Sequence, residues 1–462
     1  MTTAFTPSGV PLDEARADRT LTRCAVIARL AAEQGGRVYY VGGCVRDGLL
    51  GRDTLDVDIE VHGLAPAALE TILDSLGERL SVGESFGIYT LRGGGPDIAM
   101  PRRETATGGG HRDFAVSVDP YLGTRAAAQR RDFTVNALMR DVLTGELTDE
   151  VGGVEDLRRG VLRHVDGRRF AEDPLRVLRG AGFSARFGFT VAEETMALFR
   201  RMDLTTLARE RVLEELRKAL MLAPRPSVFF SVLRECNQLE PWFAEMRPLI
   251  GCPQPPAHHA EGDVWNHTMM VLDEAAARRG QAEQPFFYML AALTHDFGKP
   301  SVTDPTDGVF HALGHEREGV PLARRFLARL TDDKRLTAYV LNLVPLHMRP
   351  GQLAAAQSTE RATNRLFDEA CCPGDLLLLA EADGAGKRPP IPPEGDEWLR
   401  ERLALFRERS ALPRVTGEDL IAAGLKPNPR FSDLLTLARR LQLAGVPKDE
   451  ALRQILSRAR QL

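Results

Sequence analysis

The sequence has no run of 18 or more apolar residues, the length a membrane-spanning helix needs. Its start, MTTAFTPSGVPLDEARADRT, lacks the basic-then-apolar layout of a secretory signal. Cysteine is sparse and scattered: Cys24, Cys44, Cys236, Cys252, Cys371 and Cys372 form no C-x-x-C pair. That argues against a disulfide framework or a cysteine zinc site, and it fits a reducing cytoplasm. Positive charge is not in surplus either. With 60 Lys and Arg against 64 Asp and Glu, the formal net charge is −4, so nucleic acid must be met by a local basic face. No heptad array or internal repeat is present, which argues against a coiled coil or a solenoid.

What is present is length and a change of pattern. A chain of 462 residues is too long for one compact core, and two to four domains are expected. An amphipathic helix is expected near Leu21–Glu33. RVYYVGGCV then reads as a strand ending in a glycine turn, GLL as a helix start and LDVDIEV as a strand. PAALETILDSLG reads as a helix ending at Gly77, and IYTLRGG and DFAVSVD as strands. After Gly153 strand signals fade, and apolar residues recur at three- and four-residue spacing. Proline-rich breaks fall at GCPQPPAHH and at KRPPIPPEGDE. The expectation is a multidomain α+β chain: a mixed catalytic head (1–150), a helical recognition region (151–252), an α-bundle (253–390) and a helical tail (391–462).

The chemistry starts in VGGCVRDGLLGRDTLDVDIEV, Val41 to Val61. In a strand, Asp56 and Asp58 project from one face, because side chains alternate with period two. Two close carboxylates repel, and a divalent cation such as Mg²⁺ removes that repulsion. Gly42 and Gly43, between a strand and a helix, let the backbone approach a phosphate closely. Arg46 adds a cation for the same triphosphate. Together they point to metal-assisted nucleotidyl transfer. Asp-x-Asp alone reads equally as a solvated strand edge; the combination is what carries the specificity.

This stretch resembles the first motif of class II tRNA nucleotidyltransferases (CCA-adding enzymes) and bacterial poly(A) polymerases, within the polymerase-β-like superfamily. Four more stretches resemble later motifs in order: RRDFTVNAL from Arg130, VGGVEDLRRGVLRHV from Val151, EDPLRVLRGAGFSARFGF from Glu172 and RERVLEELRKAL from Arg209. The resemblance implies Mg²⁺ held by Asp56 and Asp58, partners tRNA, ATP and CTP, and nucleotide contacts from Arg131, Asp132, Asn136 and Arg179. It also implies that Asp173 and Arg176 read the base. A carboxylate accepts from the exocyclic amino group of cytosine or adenine, whereas uracil and guanine offer a carbonyl and leave a buried mismatch. Read without the resemblance, Asp173, Arg176 and Arg179 are a salt-bridge ladder on a helix face. The family often has an acidic stretch before RRD, where this chain has GTRAAAQ. PRRETATGGGHRDF resembles the loop that helps switch from CTP to ATP, with Arg103 and Glu104 at its start but an unmatched glycine run. Whether the product is CCA, CC or A alone therefore stays open. Asp97 reads as a solvated loop aspartate or as a third metal carboxylate.

Seven of the ten histidines fall between His258 and His347. His267, the pair His295-Asp296 and Asp383 resemble the ligand set of the HD phosphohydrolase superfamily. This implies a transition metal (Ni, Co, Mn, Fe or Zn) and hydrolysis of phosphomonoesters or 2′,3′-cyclic phosphates. His311 and His315 share a face if their segment is helical, as a phosphate or second-metal site or as a polar surface. The basic tail resembles the C-terminal segment of HD-containing tRNA nucleotidyltransferases; it reads as a tRNA contact or a solvated face. A poly(A) polymerase and a non-catalytic RNA- or nucleotide-binding protein are the competing readings. No membrane partner is expected, and the sequence leaves oligomeric state open.

Overall fold

The computed structural model describes residues 14–52, 56–81, 88–106, 114–257, 259–306, 309–392, 394–429 and 431–460. The chain forms two compact units: Met1–Leu207 with Ser231–Gln238, and Ala208–Phe230 with Leu239–Leu462.

The first unit is built on strands β1 (Arg37–Val41), β2 (Asp58–His62), β3 (Arg79–Ser81), β4 (Ile88–Leu91) and β5 (Asp97–Ala99). Past the hairpin β6 (Arg102–Ala106) and β7 (Phe114–Val118), strands β8 (Met139–Asp141) and β9 (Leu147–Thr148) complete a seven-stranded sheet, ordered β3-β4-β5-β2-β1-β8-β9. β2 and β5 run parallel and the other neighbours antiparallel, so the sheet is mixed. Alternation in RVYYV sets its two faces. Val38 joins a core with Ile59 and Val61, beneath Cys24 and Ile27 of α1 (Glu14–Glu33) and Leu69 and Leu73 of α3 (Pro66–Leu76). Tyr39 and Val41 turn the other way, against Ala128 and Met139. Ile59 is fully buried, worth about 1.5–3 kcal/mol in apolar transfer.

Two local expectations change. The helix α2 (Gly43–Leu49) begins right after Gly42, so Gly48-Leu49-Leu50 closes it rather than starting it. Gly42 has φ +71°, a conformation that favours glycine, and this tight turn brings the helix start to the strand end. Strand β2 begins at Asp58, so Asp56 lies just before it. The loop between β6 and β7, where the nucleotide-switching segment was expected, falls at 107–113, outside the described residues.

After α4 (Thr124–Ala128), helices α5 (Gly153–Arg159), α6 (Gly167–Ala171), α7 (Leu175–Phe187) and α8 (Glu193–Phe199) follow, with β10 (Val161–Leu162) and β11 (Thr190–Val191) as a short parallel pair. Phe133, Phe170 and Phe199 form a buried aromatic cluster, with centroids 5.3 and 5.9 Å apart in sequence. A Cβ on Gly180 would lie 2.5 Å from the Phe199 ring. The glycine therefore lets α7 sit directly on this cluster, which fixes Arg176 and Arg179.

The second unit is helical. It holds α9 (Arg209–Leu222) and the start of α10 (Ser227–Glu235), then α11 (Val264–Arg278), α12 (Pro285–Thr294) and the short α13 (Lys299–Val302). A small hairpin, β12 (Asp304–Thr306) with β13 (Val309–His311), leads to α14 (His315–Leu330), α15 (Lys334–Leu343), α16 (Arg349–Ala355), α17 (Glu360–Glu369) and α18 (Pro373–Ala385). The last helices are α19 (Glu394–Ser410), α20 (Gly417–Ala422), α21 (Phe431–Leu443) and α22 (Lys448–Arg460), with a small core of Leu420, Leu434, Ala438 and Ile455. Helix α12 is apolar on every side, and Tyr288 through Thr294 are all buried, as a central helix requires. No described helix is long and apolar enough to cross a membrane.

Candidate active sites

In the first unit the sheet collects carboxylates. The parallel register sets Asp58 of β2 directly beside Asp97 of β5, and the Asp97 N–H donates to the Val57 carbonyl at 3.0 Å. Oxygens of Asp56, Asp58 and Asp97 all lie within 4.8 Å of one another. Asp97 is thus a strand residue in the cluster, not a loop residue. Burial, and next the charge of Asp56, push Asp58 up to about 6, against the pull of Arg131. Three carboxylates at this distance favour a divalent cation, and an all-oxygen donor set fits a hard one.

Gly42 faces this cluster: a Cβ there would lie 3.7 Å from Asp58 Oδ2 and 3.6 Å from Arg131 Nη1. Arg131 donates to Glu60 at 3.2 Å, and Glu60 in turn meets His62 at 2.8 Å. Gly43 opens α2, and a Cβ on it would meet only Arg46 Nη2, at 3.5 Å. Arg46 is buried rather than reaching outward. It donates to Asp47 at 2.8 Å and to Asn136 at 2.5 Å, and its guanidinium lies 4.4 Å from the Phe187 ring centroid. Asn136 donates on to Asp132 at 3.0 Å, and Asp132 accepts from Arg179 at 2.7–2.9 Å. The result is one continuous chain, Arg46–Asn136–Asp132–Arg179, through the base of the site. Burial would raise Asp132, yet Arg179, Asn136 and the Phe133 N–H together hold it below the ordinary carboxylate value.

Helix α7 begins at Leu175, so Asp173 precedes it and accepts the Leu175 N–H at 3.1 Å. Arg176 donates to the Arg169 carbonyl at 2.8 Å and lies 5.5 Å from the Phe170 ring. Arg179 turns to Asp132, so the two arginines three residues apart take different partners. Arg176 lines a cavity of about 230 Å³ with Arg102, Arg103, Arg130, Arg169 and Glu172. Arg102, Arg130 and Arg169 were missed in the sequence, where scattered arginines give no local signal.

In the second unit, α11, α12 and α18 bring His267, His295, Asp296 and Asp383 together, all buried. Donor atoms of His267, His295 and Asp383 lie within 4.8 Å of one another. His267 Nε2 is 3.0 Å from Asp383 Oδ1 and 3.5 Å from Asp296 Oδ2, and His295 Nε2 is 3.2 Å from Asp296 Oδ2. Behind His267 stands Glu261, 3.1 Å from Nδ1, which also meets His259 at 2.7 Å. Burial would raise Glu261, but these two bonds hold it at about 2. A carboxylate behind an imidazole is the arrangement that fixes a metal-binding tautomer. Lys299 lies 2.6 Å from Asp296 and Lys387 3.0 Å from Asp383. Imidazoles with carboxylates fit a borderline transition metal.

The expected His311–His315 pair is split. His311 ends strand β13, whereas His315 opens α14 and is buried. His315 Nε2 lies 3.3 Å from Asp296 Oδ1, and His347 Nε2 lies 3.7 Å from the same oxygen. His347 was not singled out in the sequence, because it belongs to no recognisable motif there.

The family description "Poly A polymerase head domain" matches residues 38–163, "Probable RNA and SrmB- binding site of polymerase A" matches 188–250, and "HD domain" matches 264–383. The multifunctional CCA protein of Nitrosococcus oceani is 37% identical over 407 residues, 84% of this chain and 93% of that protein. The one of Xanthomonas campestris pv. campestris is 36% identical over 437 residues, 90% of this chain and 100% of its own length. This chain belongs to the multifunctional CCA protein family. It is a nucleotidyltransferase with an HD domain, and both domain types depend on divalent metal. The same fold is found in a Thermotoga maritima CCA-adding enzyme solved with tRNA (TM-score 0.64, 19% identity, 97% of this chain and 96% of that one). It recurs in a Bacillus stearothermophilus CCA-adding enzyme solved with CTP (TM-score 0.66, 23% identity, 96% and 98%).

Proposed function

We propose that this protein extends tRNA 3′ ends with nucleotides from CTP and ATP, and that its HD domain hydrolyses phosphoesters. The observation that carries the first activity is the triad Asp56, Asp58 and Asp97, with Asp58 raised to about 6 by burial and like charge. Mg²⁺ is the ion this all-carboxylate set suits, and when bound it supplies charge neutralisation for a triphosphate and activation of the tRNA 3′-hydroxyl. The chain's own residues do the rest. Gly42 and Gly43 admit the triphosphate to the backbone beside Asp58. Arg131 contributes positive charge at the same point. Arg46 acts through Asn136 and Asp132, whose contacts hold Arg179 in place.

Asp173 and Arg176 read the base. The Leu175 N–H holds Asp173 at the start of α7, and its carboxylate is the acceptor we assign to the amino group of the base. Arg176 supplies donors to ring acceptors, and the arginine-lined cavity beside it supplies charge for nucleotide or tRNA phosphates. The domain division proposed is 1–150, 151–252, 253–390 and 391–462, with basic residues of the tail meeting tRNA. Six free cysteines support a reducing, cytoplasmic setting.

In the HD domain, His267, His295, Asp296 and Asp383 hold Ni, Co, Mn, Fe or Zn. The group such a site would hold supplies Lewis-acid activation of water toward a phosphoester. Lys299 and Lys387 are placed beside the ligand carboxylates to receive phosphate oxygens.

The test is purified protein with truncated tRNA and each labelled nucleoside triphosphate alone, with wild type and Asp58→Ala compared at saturating Mg²⁺. CCA, CC-only, A-only and poly(A) products separate in that assay. Incorporation by Asp58→Ala at the wild-type rate would sink the assignment.

A further inference from the structure

Side chains two apart on a strand share a face, so Glu60 and His62 follow Asp58 along one side of β2. Both are buried, at 7% exposure each. Glu60 gives its two oxygens to two different partners. Oε1 accepts from His62 Nε2 at 2.8 Å, and Oε2 accepts from Arg131 Nη2 at 3.2 Å. A carboxylate only accepts, so His62 carries a hydrogen on Nε2. The His62 ring is itself held edge-on to Tyr39, with centroids 5.2 Å apart, and Tyr39 is packed in the core with Val41, Ala128 and Met139. Turning the Glu60 carboxylate would break the His62 bond in a buried place, which is costly.

Arg131 enters from the turn after α4, where its N–H donates to the Ala128 carbonyl at 3.0 Å. Its guanidinium is divided between two sides. Nη2 goes to Glu60, whereas Nη1 lies 3.6 Å from the point where a Cβ on Gly42 would stand. Asp58 Oδ2 lies 3.7 Å from that same point. The Arg131 side chain is 28% exposed against 9% for Glu60, so the pair is closed at its Glu60 end and open at the arginine. Arg130, next in the chain, turns instead to the Arg102 carbonyl, so the two adjacent arginines are parted by their acceptors. A buried ion pair is weak ground for stability, because desolvation of both charges offsets their attraction. A planar fork with one nitrogen pinned, by contrast, has its other nitrogen aimed.

We propose that Glu60, braced by His62, is a positioning residue for nucleotide addition: it pins one nitrogen of Arg131 so that the other faces the phosphates admitted beside Gly42 and Asp58. The proposal rests on reading the head as the nucleotidyl-transfer site. Glu60 acts through Arg131 and does not itself meet the nucleotide. An arginine already held in one orientation loses less freedom when a phosphate arrives, so the gain is one of preorganisation. It belongs to the phosphates and not to the base or sugar.

The experiment is equilibrium dialysis of the full-length protein, without tRNA, against labelled CTP and separately against labelled cytidine in Mg²⁺. Glu60→Gln keeps the shape of the side chain and removes the charge that holds Arg131. It should weaken CTP binding by about 10–100-fold, the worth of one hydrogen bond between charged groups, and leave cytidine binding unchanged. In addition assays the loss should fall on the KM for CTP more than on kcat. Arg131→Ala should show the same pattern, and the double variant should be no worse than Arg131→Ala alone. His62→Gln, which loosens the brace and leaves the ion pair, should weaken CTP binding in the same direction by less. Wild-type CTP affinity in Glu60→Gln, even with a lowered melting temperature, overturns the proposal and leaves a pair that serves stability only. Equal losses for CTP and cytidine, or losses that multiply in the double variant, also overturn it. Wild-type protein that neither binds CTP nor adds nucleotide overturns the transferase reading, and the positioning role with it.

Discussion

Asp58→Asn should stabilise the metal-free protein and abolish its response to Mg²⁺. Asp58 rises from an ordinary carboxylate value of 3.8 to about 6, because burial and the Asp56 charge disfavour its ionised form. At about 1.4 kcal/mol per pH unit this corresponds to roughly 3 kcal/mol. The group is partly solvated, and screening reduces that to about 1–2 kcal/mol. The sign follows from proton binding. Between 3.8 and about 6 the folded state holds the proton that the unfolded state has released. Stability therefore falls as pH rises through that window, and at pH 7 the full penalty is present. Asparagine removes it at neutral pH. For a unit of this size the apparent melting temperature in EDTA should rise by about 2–8 °C, measured by scanning fluorimetry at pH 7.5. Added Mg²⁺ should raise the wild type and leave the variant unmoved, while nucleotide incorporation by the variant is lost. If the variant melts no higher than wild type in EDTA, or Mg²⁺ lifts both equally, the reasoning about the carboxylate cluster is wrong.

Asp173→Ala should lose discrimination against UTP and GTP by about 1–3 kcal/mol, read as the ratio of kcat/KM values for CTP and UTP; unimpaired rejection of UTP would place base reading elsewhere. Asp132→Ala removes the buried shared acceptor of Arg179 and Asn136, so urea denaturation should show a loss of about 3 kcal/mol. Gly298→Ala drives a Cβ into the His315 carbonyl, and should lose about 1–3 kcal/mol in stability together with Mn²⁺ affinity at the HD site. The two activities should be separable: His295→Ala keeps nucleotide addition, and Asp58→Ala keeps Ni²⁺- or Mn²⁺-dependent phosphate release. Loss of both activities in either variant, with the fold intact, would refute two independent sites.

Much of the head was legible because its information is local. The alternation of RVYYV and DVDIEV, the glycine turn between strand and helix, and the Gly77 helix end are all short-range patterns, and the sheet follows them. Asp97 was not legible in the same way. Its strand is only three residues long and follows a glycine run, and its place beside Asp58 comes from parallel pairing of segments distant in sequence. Arg46 shows the other kind of gap. Its charge could be read, but its burial depends on the rings of Phe183 and Phe187, contributed by α7 far along the chain. A local pattern reports which residue types are present; the partner that fixes a side chain's direction is a tertiary matter.

The histidine cluster makes the same distinction sharper. Helix α12 is apolar all round, so its end had to lie inside the unit, and His295-Asp296 could be read as buried from that run alone. His347 follows the short 3₁₀ turn Val344–Leu346, and PLHMRP has neither a partner at helical spacing nor a neighbouring carboxylate. What joins it to His295 and His315 is a backbone device rather than a motif. Each ring sits at a helix boundary and binds, through Nδ1, the carbonyl three residues before it. A carbonyl oxygen has two lone pairs, so it can accept an imidazole N–H besides a backbone one, and the imidazole it holds through Nδ1 has its other nitrogen aimed away. Three such boundaries around one carboxylate give three aimed nitrogens. That convergence is a property of how α12, α14 and the turn before α16 meet, which is why His347 emerges in the fold and not in the sequence.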